Sequence, residues 1–382
     1  MKSDLVYFAP FAPGGLCTYA AQQISGIEAA GVALSGVVSP AVAAFFPNRT
    51  CGEMWKVIAP PREGRALLWK YRQFRHLMEC YRLLDGIVRA KRPRAVLFGS
   101  FAEYFSPLWA WRFRKLREER IRFGCVVHDP VRDFQFGPAF WHKWSISEAY
   151  SFIDVAFLHE TIELNTGSPA RDVESVIIPH GPYPVPQGRG SRARLREEFN
   201  IPDSAFVVLA FGHIRDGKNL DLLLKAAQQE KNVWLVIAGR EQSSGQKRVA
   251  HYQRIADSLG LAGRCKWHNS FIPEDEIWKY FEVADCVALT YSSEFRSASG
   301  VLNLNAQFGR PVLASGGEGP LKSAVRHYNL GVWVEPDSSE ALAGGLRQVM
   351  KTADRNHSGW TRYRKDHSWH ENVNRIVAAL LE

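Results

Sequence analysis

Arg215 and Lys218 stand three residues apart in the run Phe211-Gly212-His213-Ile214-Arg215-Asp216-Gly217-Lys218-Asn219. The run follows a strand pattern at 206–211 and precedes a helical one near 220–228, so both cations belong at the C-terminal edge of a sheet, beside helix N-terminal amides. That combination suits a diphosphate, because arginine offers a fork of donors and lysine a compact charge. Taken alone, the loop reads equally well as two solvated surface cations. Ser299 and Gly300 follow the strand pattern 286–290 and an intervening loop, where a helix begins. Serine caps such a helix and glycine lets a phosphate approach the backbone, although an ordinary helix start has the same appearance. His128-Asp129 follows Cys125-Val126-Val127 at another strand end, a place where histidine is often only a structural hydrogen-bonder.

The elements that must position these residues alternate. The first half opens with a strand at 5–10, a turn through Pro13-Gly14-Gly15 and a helical pattern at 18–30, followed by further strands at 95–98 and 125–127 with helices between. Prolines and glycine cluster in Ile177-Ile178-Pro179-His180-Gly181-Pro182-Tyr183-Pro184-Val185-Pro186, and the polar run 188–194 follows, which marks the linker. Alternation then restarts with strands at 206–211, 233–238, 286–290 and 311–314 and helices near 220–228, 250–259 and 300–308. Strands alternating with helices predict parallel sheets, so the expectation is two Rossmann-like α/β domains in tandem. Residues 1–185 form the acceptor-binding domain in this reading and 186–365 the nucleotide-sugar-binding domain. The last helix, 366–382, is a candidate to pack back on the first domain.

Four segments together resemble the family 4 retaining glycosyltransferases: the Gly14-Gly15 loop, Val127-His128-Asp129, the Arg215/Lys218 run, and Ser299-Gly300-Val301-Leu302 with Gly309-Arg310-Pro311-Val312. The resemblance implies the GT-B fold, two doubly wound domains facing a central cleft. It also implies that Arg215 and Lys218 bind the donor diphosphate, that Gly14, Gly15, Ser299 and Gly300 line the donor site, and that His128 contacts the donor sugar. Gly239-Arg240 and Phe271-Ile272 lie in the two loops that enclose the nucleobase in such enzymes. The sequence departs from the family's commoner pattern of two glutamates seven residues apart, since those positions hold Arg296 and Leu304. Neither side chain accepts a hydrogen bond from a hydroxyl. Glu294 is the candidate replacement near the first position, and Asn303 and Asn305 flank the second. A side branch of the family with a Ser-Gly-Val-Leu pattern, which this chain resembles, also lacks the second glutamate.

Composition bounds the rest. The 382 residues are 46% hydrophobic and 23% charged, enough for two cores without staples. Cys17, Cys51, Cys80, Cys125, Cys265 and Cys286 are scattered, with no metal or redox spacing, and the N-terminus lacks the longer apolar region of a signal peptide. A cytoplasmic protein is expected, with no obligatory metal and no cofactor beyond the nucleotide sugar. Between Arg62 and Arg122 sixteen Lys/Arg face six Asp/Glu, an excess of ten against +9 for the whole chain. Within it, Leu67, Tyr71, Phe74, Met78, Tyr81, Leu84 and Val88 form one helix face, and Trp109-Ala110-Trp111-Arg112-Phe113-Arg114-Lys115 follows. Two readings stand. Segment 62–122 binds an anionic membrane surface, with Trp109, Trp111 or Phe113 inserting, on the inner face of the plasma membrane; or the apolar stripe packs on the first sheet and the arginines are merely solvated. No nucleic-acid module is recognisable.

The expected function is transfer of a sugar from a nucleoside-diphosphate sugar to a glycan or lipid-linked acceptor with retention, in envelope or extracellular polysaccharide synthesis. A nucleotide-sugar epimerase of the same architecture and an inactive, partner-binding subunit are the alternatives.

Overall fold

The computed structural model describes residues 3–12, 14–47, 55–61, 66–128, 135, 137–167, 173–183, 188, 190–241, 245–352 and 357–382. The chain divides into two compact units. Unit 1 is Met1–His180 with Ser368–Glu382, and unit 2 is Gly181–His367.

Unit 1 runs β1 (Leu5–Ala9), α1 (Gly15–Ala29), β2 (Leu34–Val38), α2 (Pro40–Ala43), β3 (Trp55–Val57), α3 (Ala66–Lys91), β4 (Ala95–Phe98), α4 (Ala110–Glu118), β5 (Arg122–Val126), α5 (Ala139–Tyr150), β6 (Val155–Leu158) and β7 (Glu174–Ile177). Its sheet has the order β3-β2-β1-β4-β5-β6-β7, and every recorded pairing is parallel. Unit 2 runs α6 (Arg192–Glu198), β8 (Phe206–Phe211), α7 (Leu220–Gln228), β9 (Val233–Ala238), α8 (Val249–Ser258), β10 (Cys265–His268), α9 (Ile277–Val283), β11 (Cys286–Thr290), α10 (Gly300–Phe308), β12 (Val312–Ser315), α11 (Pro320–His327), β13 (Gly331–Trp333), α12 (Ser339–Thr352) and α13 (His357–Asp366). Its sheet is also parallel, in the order β10-β9-β8-β11-β12-β13. Helices cover a parallel sheet on both faces, and the central strands are accordingly buried and largely apolar. Leu-Val-Tyr-Phe-Ala of β1 and Cys-Val-Ala-Leu-Thr of β11 are wholly buried.

The two Rossmann-like units are those the alternation predicts. Strands β2, β3, β6, β7 and β13 escaped the sequence reading; β3 and β13 have three residues each and β7 carries Glu174 and Ser175, whereas β2 is as long as β1 and β6 is as apolar as β4.

A last helix, α14 (Trp369–Leu381), belongs to unit 1 and packs on α1, β5 and β6. Gly26 of α1 makes the close approach possible, since a Cβ there would meet Val373 Cγ2 at 2.6 Å. Buried hydrogen bonds fasten the joint: Asn372 accepts from Gln23 Nε2 at 3.0 Å and donates to Tyr19 Oη at 3.1 Å and Pro179 O at 2.7 Å.

The basic segment divides in two. Trp109 and Phe113, expected at a membrane, are instead buried in the core of unit 1, and Trp109 stacks on Tyr81 at 3.8 Å. Tyr81, Leu84 and Val88 are buried with Val6, Phe8 and Phe98. Much of the positive charge is also accounted for internally. Arg89 and Arg112 pair with Asp85 at 2.8 and 3.3 Å, Arg117 with Asp154 at 2.9 Å, Arg92 with Glu119, and Arg114 with Glu148. Among the described residues of this segment, the large apolar groups left exposed are Leu68, Trp69 and Tyr71 at the start of α3, with Leu108 and Trp111. The described cysteines are all free and buried, and Cys51 lies outside the described residues. Among the described residues no helix is long and apolar enough to cross a membrane.

Candidate functional site

In unit 2 the strand order reverses between β8 and β11, and the loops that leave their C-terminal ends open a crevice there. Gly212 ends β8 with φ +87°, and Gly239 ends β9 with φ +144°. The two turns touch: Gly212 N donates to Ala238 O at 2.9 Å, and a Cβ on Gly239 would run into the Gly212 carbonyl. Glycine is required at Gly239 on both counts. Beyond Gly212 the chain forms a short 3₁₀ turn, Asp216–Lys218, and Asn219 in the left-handed region leads into α7.

This loop is tied down on all sides. Thr290 Oγ1 donates to Lys218 O at 2.9 Å, and Ser292 N to Gly217 O at 3.0 Å, which stitches it to the β11 loop. Asp216 is turned outward, accepting from Tyr252 Oη at 2.9 Å and Lys247 N at 3.1 Å. Asp337 bridges Asn219 Nδ2 at 2.9 Å and Ser293 N at 3.0 Å. Its acidity stays high because those bonds outweigh desolvation, which acts the other way.

Lys218 folds inward and donates to Phe211 O at 2.6 Å. Burial first, and then the charge of Arg215, pull its pKa from 10.5 to about 7. His213 is likewise pulled down, first by burial and then by Arg240, Lys218 and Arg215. Every charge that shifts His213 is therefore positive. A small pocket lined by Gly212, His213, Arg215, Lys218, Thr290 and Tyr291 occupies this field.

The start of α10 closes on the same place. Ser299 is its N-cap, with Oγ accepting from Leu302 N at 3.3 Å and sharing a hydrogen bond with Tyr291 Oη at 3.1 Å. Tyr291 stacks on Phe295 at 3.9 Å. Burial raises the pKa of its phenol against the Ser299 bond and the Arg215 charge, which lower it. Gly300, exposed, leaves the first amides of α10 open. Arg215, Lys218, Ser299 and Gly300 are thus brought together, and Gly239 adjoins them through Gly212. Arg240 is exposed at the rim, its Nε 3.5 Å from His213 Nε2.

The other candidates in unit 2 do not line this pocket. Phe271 is exposed, whereas Ile272 is buried in the core. Glu294 lies exposed on the turn between β11 and α10, as does Arg296. Asn303 and Asn305 are buried anchors, the first accepting from Tyr363 Oη at 2.6 Å and the second donating to Arg310 O at 2.7 Å. Leu304 packs on the core. No group of described residues has the makings of a metal site.

Unit 1 holds Gly14, Gly15 and His128. Gly14, at φ +54°, precedes α1 and is exposed with Gly15. His128 shares a hydrogen bond through Nε2 with Gly99 O at 3.2 Å and meets the Tyr19 ring edge-on at 4.8 Å. Asp129 lies outside the described residues. Sequence reasoning missed the companions of His128. His159 follows β6 and His180 follows β7, and both pack against the same Tyr19 ring, at 5.5 and 5.0 Å. The strand-end rule that singled out His128 would have found His159 had β6 been recognised.

Residues 191–366, nearly all of unit 2, match the family model for "Glycosyl transferases group 1". A D-inositol 3-phosphate glycosyltransferase of Salinispora tropica is 29% identical over 208 residues, covering 49% of this chain and 41% of that protein. One from Mycolicibacterium smegmatis is 30% identical over 199 residues, covering 50% and 43%. The matches thus span about two-fifths of the length of these relatives. Among solved structures, Anabaena HepE in complex with UDP is similar with a TM-score of 0.72 and 14% identity, over 100% of this chain and 99% of that one. At such identity the likeness carries the fold. Residues 191–366 therefore match a group 1 glycosyltransferase domain, in a chain whose two parallel-sheet units match the GT-B fold.

Proposed function

We propose that this chain transfers a sugar from a nucleoside-diphosphate donor, held by unit 2, to a hydroxyl of a glycan or lipid-linked acceptor, with retention of anomeric configuration, in envelope or extracellular polysaccharide assembly. The observation that carries this reading is the convergence of Arg215 and Lys218 on the Ser299/Gly300 helix start, in a field where every charge shifting His213 is positive. Charge grows on the diphosphate as the sugar departs. Arg215, Lys218 and the α10 amides are set to stabilise it without rearrangement, because Asp216, Thr290 and Ser292 already hold their loop. His128 positions the transferring sugar in this scheme, and Glu294 is the nearest carboxylate to the missing family position. HepE was solved with UDP and with UDP-glucose, which makes uridine nucleotides the first probes.

Calorimetric titration with a panel of nucleoside diphosphates tests the donor site. Arg215→Ala and Lys218→Ala should each weaken binding by about 1.5–3 kcal/mol, the scale of a hydrogen bond to a charged group, with folding retained. Unchanged affinity in both variants would remove the site. Incubation with the nucleotide sugar alone should leave its sugar unaltered, and an epimer among the products would replace transfer by epimerisation.

A further inference from the structure

We propose that unit 1 carries an anchor for anionic lipid bilayers, built from the exposed apolar side chains of α3, α4 and α5 and the cations among them. This goes beyond sugar transfer and does not depend on it.

Ten large hydrophobic side chains are exposed among the described residues, and seven of them lie on the start of α3, on the residues around Leu108 and Trp111, and on α5. Such a concentration is unlike the scattered single exposures of an ordinary surface. At the start of α3 even consecutive residues are exposed: Leu68 at 53%, Trp69 at 38% and Tyr71 at 59%, with Lys70 and Arg72 between and after them. Every residue from 68 to 72 is exposed, so this turn of the helix stands clear of the core. Trp111 lies three residues from Leu108, and Arg112 and Lys115 lie over its ring at 4.6 and 5.5 Å. Phe140, exposed at 71%, and Trp144 are four apart and share a face of α5.

The three elements are joined. Phe74 of α3 meets Phe105 edge-on at 5.3 Å, Ser106 Oγ donates to Ser145 O of α5, and Ser145 Oγ donates to Tyr104 O at 2.7 Å.

Charge selects the occupant. Residues 66–78, 104–117 and 137–147, which carry all seven side chains, contain no Asp or Glu, and Glu79, Glu103, Glu118 and Glu148 bound them. Arg112, Arg114 and Arg117 are neutralised by Asp85 of α3, Glu148 of α5 and Asp154, but Lys70, Arg72, Arg75 and Lys115 have no acidic partner among the described residues. Tryptophan, tyrosine and phenylalanine interspersed with unpaired cations match a headgroup layer, where rings enter the acyl boundary and ammonium and guanidinium groups meet lipid phosphates.

Co-sedimentation of the full chain with phosphatidylcholine vesicles, with and without about a third phosphatidylglycerol, tests the anchor. Binding to the anionic vesicles should be roughly tenfold stronger and should weaken with salt. Lys70→Gln with Arg72→Gln and Arg75→Gln should abolish the preference between the two vesicle types. Trp69→Ser with Tyr71→Ser, Phe140→Ser and Trp144→Ser should lower binding to the anionic vesicles at least about tenfold, with an unchanged melting temperature because all four side chains are exposed. Equal, negligible binding of the native chain to both vesicle types would overturn the proposal. So would native-like binding of both variants. Conversion of a dimer to a monomer by the serine variant, with vesicles ignored throughout, would likewise overturn it and identify the surface as a contact between copies.

Discussion

Lys218 pairs a buried ammonium with a neighbouring guanidinium, and both burial and repulsion oppose its charge. A diphosphate reverses the balance, favouring the protonated amine and drawing its pKa up. Binding should therefore take up a proton at and above about pH 7, and affinity should fall as pH rises through that value. Titrations in buffers of differing ionisation heat measure the uptake, which Lys218→Ala should lose. His128 calls for a different outcome. A side chain that positions the transferring sugar acts mostly in the transition state, so His128→Ala should lower kcat about 10²-fold or more with little change in nucleoside-diphosphate affinity. If kcat stays near the native value, the role of the ring is structural, through contacts such as those with Gly99 and Tyr19.

Two glycines hold the strand ends of unit 2 together, and the whole cationic loop hangs from them. Gly239→Ala combines a left-handed backbone with a collision against the Gly212 carbonyl. The expected cost is about 2–4 kcal/mol of stability by denaturant melts, with a parallel loss of diphosphate binding. A variant that binds normally would show that the β8 and β9 turns move independently. The helices were legible where an apolar period survived, as in α7 and α10. β7 is broken by Glu174 and Ser175, and the short apolar run of β6 has no period that tells a strand from a buried helix segment, so the histidines that follow were lost with their strands.

At the scale of the molecule, the chain leaves unit 1 at His180, builds all of unit 2 and returns at Ser368. The returning helix buries Val373, Ile376, Leu380 and Leu381. Removing residues 368–382 forfeits about 1.5–3 kcal/mol for each buried side chain of this kind, and also leaves Gln23 and Tyr19 without Asn372. Hydrogen exchange should then lose protection in α1, β5 and β6, whereas amides of unit 2 and its nucleotide binding persist. Protection lost equally in both units would mean that the two do not fold separately.

The sequence by itself determined the alternation of strand and helix, the glycine turns and the cations placed between β8 and α7, because each is written in neighbouring residues through period, backbone freedom and charge. Tertiary structure decided which of those pieces meet. Parallel strands are joined through crossovers, so nothing local says that β8 lies beside β11, and only that pairing brings Tyr291 and Ser299 to Arg215 and Lys218. The same limit applies to the basic segment. An apolar stripe reads alike whether a sheet or solvent covers it, and an arginine reads alike whether its acid is across the fold or missing. Burial of Trp109 and Phe113, the pairing of Arg112 and Arg114, and the exposure of Trp69 and Trp111 all depended on contacts distant in sequence.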